Sequence, residues 1–427
     1  MNPEIQEIDD GTNYIGYHEA LSLIYSNVQL LSSEMIPLEL SHNRIASKDV
    51  TAFVSCPSTD ISLKDGFAVN SEDVAQASTQ SPVSLEVIAS VFAGSAFDGK
   101  VRSGTAIKVC SGAPIPCGAE SVVSKEFCKE ITNREVQILA KAERGRNILK
   151  AGGTISSGAT AVKKGEMFLP GNMGLAAAGG ISRVSVHKLP RVAIVGIGDE
   201  IVAPGEHLRP GQIYASNLIT LRAWLNSFHI ECITSVVRDD VDSIARELKR
   251  ILCNADVILT SGGAWGSERD LIVDTLAALG WQQVFHHVRM GPGKGICFGK
   301  WQEVPVFCLP GGPASNEMAF LQLALPGILR MSGDMRHPLQ NVSARLTKDL
   351  KSRHRAWAEF LPAVLSIDSK AVYSVYPQQA YQRAQANVGA NCLICIHEGI
   401  ETLSRNEIIK VQILVPHLGM IEEAGLF

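Results

Sequence analysis

The strongest constraint on the fold is a change of pattern at Pro190, after which strand-like apolar runs alternate with helix-length segments. Three runs rich in β-branched residues, "RVAIVGIG", "HIECITSVV" and "ADVILTSGG", are separated by "SNLITLRAWLNS" and "DVDSIARELKRILCN". Ser216 or Asn217 is suited to cap the first helix and Asp240 the second. This alternation predicts βαβ units, and therefore a parallel α/β sheet with helices on both faces.

The rest of the chain differs from this α/β segment, and 427 residues are too many for a single compact core. Short strand-like runs between turn residues predict a β-rich domain before the segment and another after it. The run "YHEALSLIYSNV" predicts an early helix. The predicted domains are a discontinuous helical and extended part over 12–48 and 144–188, an inserted β-rich domain over 49–143, the α/β domain over 189–333 and a C-terminal β domain over 334–427.

Charge and hydropathy exclude several classes of partner. The 39 basic residues nearly balance the 43 acidic ones, without a block of like charge, so no nucleic-acid partner is expected. No apolar run approaches the roughly 20 residues that span a bilayer, and the N-terminus lacks a secretory signal pattern, so we expect a cytoplasmic protein without a membrane partner. The one close cysteine pair, Cys392 and Cys395, lies in an apolar run, which favours a buried strand over a zinc or redox site.

Three glycine-rich turns, "TSGGAWGSERD", "MGPGKG" and "LPGGPAS", lie beside strand-like runs of the α/β segment. Ligands of open α/β sheets bind at the carboxyl ends of the strands, and bare N–H groups at a helix start favour an anion. For each turn taken alone, a tight turn that needs a positive φ is the alternative. The candidate ligand-binding residues are Ser261, Gly262, Gly263, Glu268, Pro292, Gly293, Pro310, Gly311 and Ser315.

One cation and several carboxylates accompany these turns. Lys294 lies between glycines, so its ammonium can reach a phosphate, although a solvated turn lysine is the alternative. Asp199 and Glu200 follow "RVAIVGIG" as candidate metal or ribose ligands, or as cap or turn residues. The helix required by a dinucleotide fingerprint does not follow, which argues against a nicotinamide dehydrogenase. In the β-rich domain, Asp65 could hold Mg²⁺, because this ion needs only one or two carboxylates.

Six stretches, in this order, resemble the motifs of the molybdopterin molybdenumtransferase family, which includes the E domain of gephyrin. They are "SLKDGFA" from Ser62, "SGAPIP" from Ser111, "GIGDEI" from Gly196, "GGAWGSERD" from Gly262, "GPGKG" from Gly291 and "LPGGPAS" from Leu309. The similarity extends from about residue 15 to about residue 415. Six motifs in a fixed order are far more specific than any one of them.

The resemblance implies insertion of molybdate, or tungstate, into adenylated molybdopterin, with Mg²⁺ as cofactor and release of AMP. It also implies a homodimer, with molybdopterin adenylyltransferase or acceptor apo-enzymes as further partners. Carried over motif by motif, Asp65, Asp270 and Lys294 would be catalytic, and Ser111 and Gly112 would bind the oxyanion. The metal would be held by Asp65, Asp199, Glu200 and Asp270.

The chain departs from the family pattern in several ligand-facing loops. Leu149, Gly153 and Thr154 replace an arginine and two acids, and Lys150 stands one position after the missing arginine. Other positions lose a serine, a lysine and an asparagine, at Trp265, Gly291 and Gly312 respectively. Two alternatives therefore stay open: a non-catalytic molybdopterin-binding or scaffold relative, and a molybdopterin adenylyltransferase. Adenylyltransferases usually lack the helical part and both β domains, which argues against the second.

Overall fold

A computed structural model describes residues 14–95, 97–262, 271–368, 372–378 and 388–414. The chain divides into two compact units, one comprising residues up to Ser32 and from Lys188 onward, the other comprising Ser33–His187. The helices are α1 (Tyr17–Asn27), α2 (Pro170–Ala178), α3 (Ser216–Ser227), α4 (Val241–Leu252), α5 (Leu271–Ala278), α6 (Pro313–Ala319) and α7 (Leu325–Met331), with a π-helical turn at Phe320–Ala324. None of the helices described in these ranges has the length and apolar character to cross a membrane.

The Ser33–His187 unit is built mainly from strands. They are β1 (Ser33–Pro37), β2 (Val50–Thr51), β3 (Ile61–Ser62), β4 (Gly66–Val69), β5 (Val83–Val91), β6 (Thr105–Val109), β7 (Ser121–Ser124), β8 (Cys128–Thr132), β9 (Glu135–Ile138), β10 (Ile148–Leu149), β11 (Thr160–Val162) and β12 (Arg183–His187). One six-stranded sheet has the order β7-β4-β6-β5-β9-β8, and only its β5–β6 pair is parallel.

Alternation along β4 shows how this sheet is covered on both faces. Phe67 and Val69 pack into one apolar cluster, and Ala68 between them packs into another. Outside the sheet, β1, β2 and β3 pair antiparallel with β12, β11 and β10. The chain segments before and after the six-stranded sheet therefore pair with each other, while the predicted domain boundaries stay a prediction.

The other unit contains the α/β sheet and a second, C-terminal sheet. Its strands are β13 (Val192–Ile197), β14 (Ile201–Val202), β15 (Ile213–Tyr214), β16 (Cys232–Val237), β17 (Val257–Ser261), β18 (Gln282–His286), β19 (Met290–Gly291), β20 (Cys297–Trp301), β21 (Val304–Leu309), β22 (Asn341–Leu346), β23 (Leu350–Lys351), β24 (Ala358–Ile367), β25 (Tyr373–Pro377), β26 (Cys392–Ile396), β27 (Thr402–Leu403) and β28 (Ile408–Ile413). The α/β sheet has the order β16-β13-β17-β21-β20-β18.

The predicted α/β arrangement is confirmed, with an addition at one edge. Strands β16, β13, β17 and β21 are parallel, whereas β20 and β18 are antiparallel to their neighbours. Only Gln302 and Glu303 separate β20 from β21, and both have positive φ. Two such residues form a tight hairpin turn, which joins antiparallel strands. The chain therefore extends the parallel sheet with antiparallel strands.

Helices cover both faces of this sheet, as predicted. Along β13, Ile194 packs into one buried cluster with residues of α3 and α6, and Val195 packs into another with residues of α4 and α5. Asp240 caps α4, because its Oδ1 accepts a hydrogen bond of 2.8 Å from the Ser243 N–H. The predicted cap of α3 is wrong: Ala215 occupies that position, and Asn217 uses its side chain elsewhere.

The C-terminal sheet has the order β19-β24-β25-β22-β28-β26 and includes a strand from the α/β segment. A buried polar chain also ties it to that segment, because the Tyr17 hydroxyl donates to Gln322 Oε1 (3.3 Å) and Gln322 Nε2 donates to Gln412 Oε1 (2.7 Å). Cys392 and Cys395 lie in β26, which agrees with the buried strand predicted from the sequence. Burial raises the pKa of both thiols to about 12. Both therefore remain protonated thiols at neutral pH.

Gly66→Ala is expected to destabilise the Ser33–His187 unit, because a Cβ at Gly66 would overlap the carbonyl oxygen of Val123 on the neighbouring strand. Overpacking of this kind costs about 1–3 kcal/mol. Thermal and urea unfolding would measure the loss. Gly171→Ala in α2 is the matched control, since its Cβ would meet no atom within 4 Å. Equal stability of the two variants would contradict the assigned β4–β7 packing.

Candidate functional site

The carboxyl ends of β13, β17 and β21 meet closely enough to require glycine. Gly262 has a φ of +99°, and its N–H donates to the carbonyl oxygen of Leu309 at 3.3 Å. A Cβ at Gly262 would also overlap the carbonyl oxygen of Ile197. From β13 the chain passes through α3 to β16 on one side, while β17 lies on the other. This is the switch point of strand order, where α/β sheets bind ligands.

Two asparagine amides converge on the end of β17. Asn217 Nδ2 donates to Ser261 Oγ at 3.0 Å and to the Gly311 carbonyl oxygen at 2.9 Å. Asn316 Nδ2 donates to Ser261 Oγ at 3.0 Å and to the Pro310 carbonyl oxygen at 2.8 Å. The predicted residues Ser261, Pro310 and Gly311 are thus brought together. The sequence analysis missed Asn316, whose signal is a polar amide in the first turn of a helix that follows a strand end.

The turn around Lys294 packs against α6, which begins just after the Pro310–Gly311 turn. Gly293 has a φ of +114°, and a Cβ there would lie 3.3 Å from the Ser315 carbonyl oxygen. The Lys294 ammonium lies 5.9 Å from the centre of the half-buried Trp357 ring, and Tyr14 packs against that ring at 5.5 Å. The predicted residue Gly293 is thus brought to Ser315 of α6, while Lys294, in the same turn as Pro292, faces Trp357.

The predicted acidic residues of this unit are divided between a described loop and a segment outside the described residues. Asp199 and Glu200 directly follow β13 and are exposed, and the Glu200 carboxylate folds over Gly198. Gly263, Trp265, Glu268 and Asp270 lie outside the described residues. Within residues 14–262 and the later described ranges, no cluster of three or more His, Cys, Asp or Glu side chains is arranged to hold a metal. Two carboxylates at a strand end still fit Mg²⁺, which completes its shell with water and phosphate oxygens.

In the Ser33–His187 unit, the predicted residues Asp65, Ser111 and Gly112 form one small cluster. The Ser111 N–H donates to Asp65 Oδ1 at 2.7 Å, and the Gly112 N–H donates to the Ser62 carbonyl oxygen at 2.8 Å. The Lys125 N–H holds the Asp65 carbonyl oxygen at 2.9 Å. Gly112 has a φ of +80°, which explains glycine at this turn. Asp65 is thereby fixed beside the Ser111–Gly112 turn.

A surface cavity of about 370 Å³ opens beside Asp65. Lys108 and Lys125 contribute to its wall, together with Phe67, Phe92 and other residues of β4, β5 and β6. Lys108 also pairs with Glu130 at 2.8 Å. The sequence analysis missed both lysines, since neither belongs to a recognised motif. The signal in the sequence is a lysine two residues before the Cys110–Ser111 turn on a strand of alternating polarity. Lys125 adds a cationic side chain to this wall, whereas Glu130 offsets the charge of Lys108 and Asp65 adds a negative charge.

The loop that departs from the family pattern is tied to the Asp65 region through Asp60. Lys150 Nζ contacts Asp60 Oδ2 at 2.6 Å, and the Ala151 N–H donates to Oδ1 at 2.9 Å. The hydrogen bond from Lys150, followed by that from Ala151, lowers the pKa of the Asp60 carboxyl below its ordinary 3.8. Lys150, one position after Leu149, is therefore paired with Asp60. Gly153 and Thr154 follow Lys150 in the same loop.

The glycines at positions 291 and 312 are not imposed by lack of space. A Cβ at Gly291 or at Gly312 would meet no atom within 4 Å, and neither residue has a positive φ. A Cβ is therefore accommodated at both positions without overlap or backbone strain. The difference from the family pattern at both positions changes chemistry without a steric cause.

Two protein-family models match the chain. The MoeA N-terminal region (domain I and II) matches residues 15–180, and the probable molybdopterin binding domain matches residues 193–330. A molybdopterin molybdenumtransferase 2 of Mycobacterium tuberculosis is 31% identical over 383 residues, covering 88% of this chain and 94% of the relative. The molybdopterin molybdenumtransferase of Haemophilus influenzae is 28% identical over 384 residues, covering 89% and 93%.

Solved structures give the same result for the fold. A molybdopterin biosynthesis MoeA protein from Pyrococcus horikoshii superposes with a TM-score of 0.79 and 32% identity, covering 95% of this chain and 100% of that one. A second structure of MoeA from this organism superposes with a TM-score of 0.79 and 26% identity. The multi-domain α/β fold class predicted from the sequence is therefore confirmed.

Asp60→Asn is expected to lower the midpoint of thermal unfolding at neutral pH. A carboxyl whose pKa is lowered on folding contributes stability above its unfolded pKa and loses this contribution as the pH falls through its folded pKa. The difference in unfolding midpoint between variant and wild type should therefore narrow as the pH falls below 3.8. Asp98→Asn, at an exposed position of the same unit, is the control. A gap that does not change with pH would show that the ion pair is not its cause.

Proposed function

Because the chain belongs to the molybdopterin molybdenumtransferase family, we propose that it inserts molybdate, or tungstate, into adenylated molybdopterin with release of AMP. The family membership inferred from six motifs is confirmed. The observation that carries the proposal is the convergence of the turns after β13, β17 and β21 around glycines. Strand ends with little side-chain bulk allow the close approach of a wide, flat and anionic ligand.

The binding of the nucleotide and phosphate groups would depend mainly on fixed hydrogen-bond donors. Ser261 and Gly262 at the end of β17, together with the Pro310–Gly311 turn, would contact the ligand where the helix starts favour negative charge. Lys294 would place its ammonium against a phosphate oxygen. A donor that is already in position stabilises developing charge without reorganisation, which lowers the barrier to cleavage of the pyrophosphate link.

The second substrate would bind as an oxyanion next to Asp65. The Ser111–Gly112 turn and the cavity beside it, with Lys108 and Lys125 in its wall, support this assignment. Bound Mg²⁺ would supply positive charge to phosphate oxygens, and Asp65, Asp199, Glu200 and Asp270 are the carboxylates proposed as its ligands. Homodimerisation, a cytoplasmic location and contact with molybdopterin adenylyltransferase or acceptor apo-enzymes belong to the same proposal.

A binding or scaffold protein without turnover is the second candidate function. It is favoured by the engagement of Lys150 with Asp60, since this lysine stands next to the position of the missing arginine. The loss of one charged hydrogen bond costs about 1.5–3 kcal/mol, so several losses would slow the reaction by orders of magnitude.

The adenylyltransferase alternative is disfavoured, because the match to the MoeA N-terminal region covers residues 15–180.

The full-length protein is expected to release AMP from adenylated molybdopterin in the presence of Mg²⁺ and molybdate or tungstate. Chromatographic quantification of AMP, with and without each oxyanion, measures the reaction and its preference. Release that requires the oxyanion supports the transferase. Tight binding of adenylated molybdopterin without AMP release with either oxyanion would instead support the scaffold function.

Lys294→Met should lower kcat/KM for AMP release by about 10²-fold, because a preorganised charge against the phosphate is lost while the apolar stem is kept. Lys300→Met is the matched control, since Lys300 lies in β20 of the same sheet and pairs with the exposed Glu303. The midpoint of thermal unfolding of each variant shows whether the fold is kept. An unchanged kcat/KM in a folded Lys294→Met protein would remove Lys294 from the proposed machinery.

A further inference from the structure

The hydroxyl of Ser261 is held between two amides whose orientation is settled by backbone carbonyls. Asn217 Nδ2 donates to Ser261 Oγ and also to the Gly311 carbonyl oxygen, and Asn316 Nδ2 donates to Ser261 Oγ and also to the Pro310 carbonyl oxygen. A backbone carbonyl can only accept a hydrogen bond. Each side chain must therefore present its NH₂ group to the carbonyl, and the same NH₂ group faces Ser261.

This arrangement determines which hydrogen bonds the Ser261 hydroxyl accepts and which one it must donate. A serine hydroxyl offers two acceptor lone pairs and one proton. The two amides occupy both lone pairs, so the proton must be donated to a third group. Ser261 is 5% exposed, and in the part of the chain that the structure describes no side chain or carbonyl accepts this proton. An unmade hydrogen bond at a buried group is costly.

The two donors are held in place by helices that are braced against each other. Asn217 lies in the first turn of α3 and Asn316 in α6. Trp224 Nε1 of α3 donates to Glu317 Oε1 of α6 at 2.7 Å. Residues of both helices also pack into one buried cluster under the sheet. The backbone of both asparagines is therefore fixed, and each amide is held in turn by its bond to a carbonyl oxygen.

We propose that Asn217 and Asn316 are positioning residues that fix the Ser261 hydroxyl as a hydrogen-bond donor toward an acceptor atom of the ligand. This inference rests on the proposed function and specifies one of its contacts: the acceptor is a phosphate oxygen of the nucleotide part. A ligand group that can only donate, such as an ammonium or an amide N–H, would meet a second donor at this point. The pair of amides therefore selects oxyanions over donors at the ends of β17 and β21.

The test is a double-mutant cycle on the full chain with AMP as the probe, measured by isothermal titration calorimetry. Ser261→Ala should weaken AMP binding about ten- to hundredfold, as expected for loss of a hydrogen bond to a charged oxygen. Asn217→Ala should weaken it about three- to tenfold, because one lone pair is released and the hydroxyl can rotate. In the double variant, Asn217→Ala should add no further loss to that of Ser261→Ala.

Asn226→Ala is the matched control, because Asn226 is an exposed asparagine on the same helix and should leave AMP binding unchanged. Thermal unfolding of each variant shows whether the fold is kept. If Asn217→Ala binds AMP as wild type does, or if it weakens binding equally with and without Ser261, the positioning role is wrong. Absence of AMP binding by the wild type would instead overturn the proposed function, and with it the premise of this inference.

Discussion

The close approach of three parallel strand ends determines what the α/β unit can bind. Gly262 lies between the Ile197 carbonyl at the end of β13 and the Leu309 carbonyl at the end of β21, and no side chain fits there. A turn with such packing presents backbone groups in place of side chains. Hydrophobic burial on both faces of the sheet keeps the strands in this register, because residues along β13 alternate between two buried clusters.

Much of this arrangement could be predicted from the sequence because local signals and tertiary packing agree. Runs of β-branched residues indicated the strands, and Asp240 before a helix-length segment indicated the cap of α4, which the structure shows. The cap of α3 could not be predicted in this way. Asn217 has the right chemistry for a cap, but contacts with Ser261 and Gly311, both distant in sequence, take its side chain. Tertiary hydrogen bonds overrode the local preference.

Candidate site residues could be proposed from the sequence where a glycine or a charge belongs to a motif, but not where a residue acts through distant partners. The position of Asn316 in the first turn of a helix does not identify its partner, and only the folded chain brings it to Ser261. The cavity beside Asp65 is likewise lined by segments distant in sequence, so only the folded chain brings Lys108 and Lys125 to it. The roles predicted for Asp65 and Lys294 stay predictions, and those of Glu268 and Asp270 fall outside the described residues.

The departures from the family pattern differ in physical kind, and this difference bears on function. At Gly291 and Gly312 there is open space, so the missing side chains reflect lost or altered chemistry. At Lys150 a cation is present, but Asp60 engages it. Under the proposed function, recognition by the α/β unit would depend less on mobile charges and more on groups that the fold itself orients, such as the Ser261 hydroxyl. Donors of this kind lose little entropy on binding, so a pocket with fewer charges can still discriminate oxyanions by geometry.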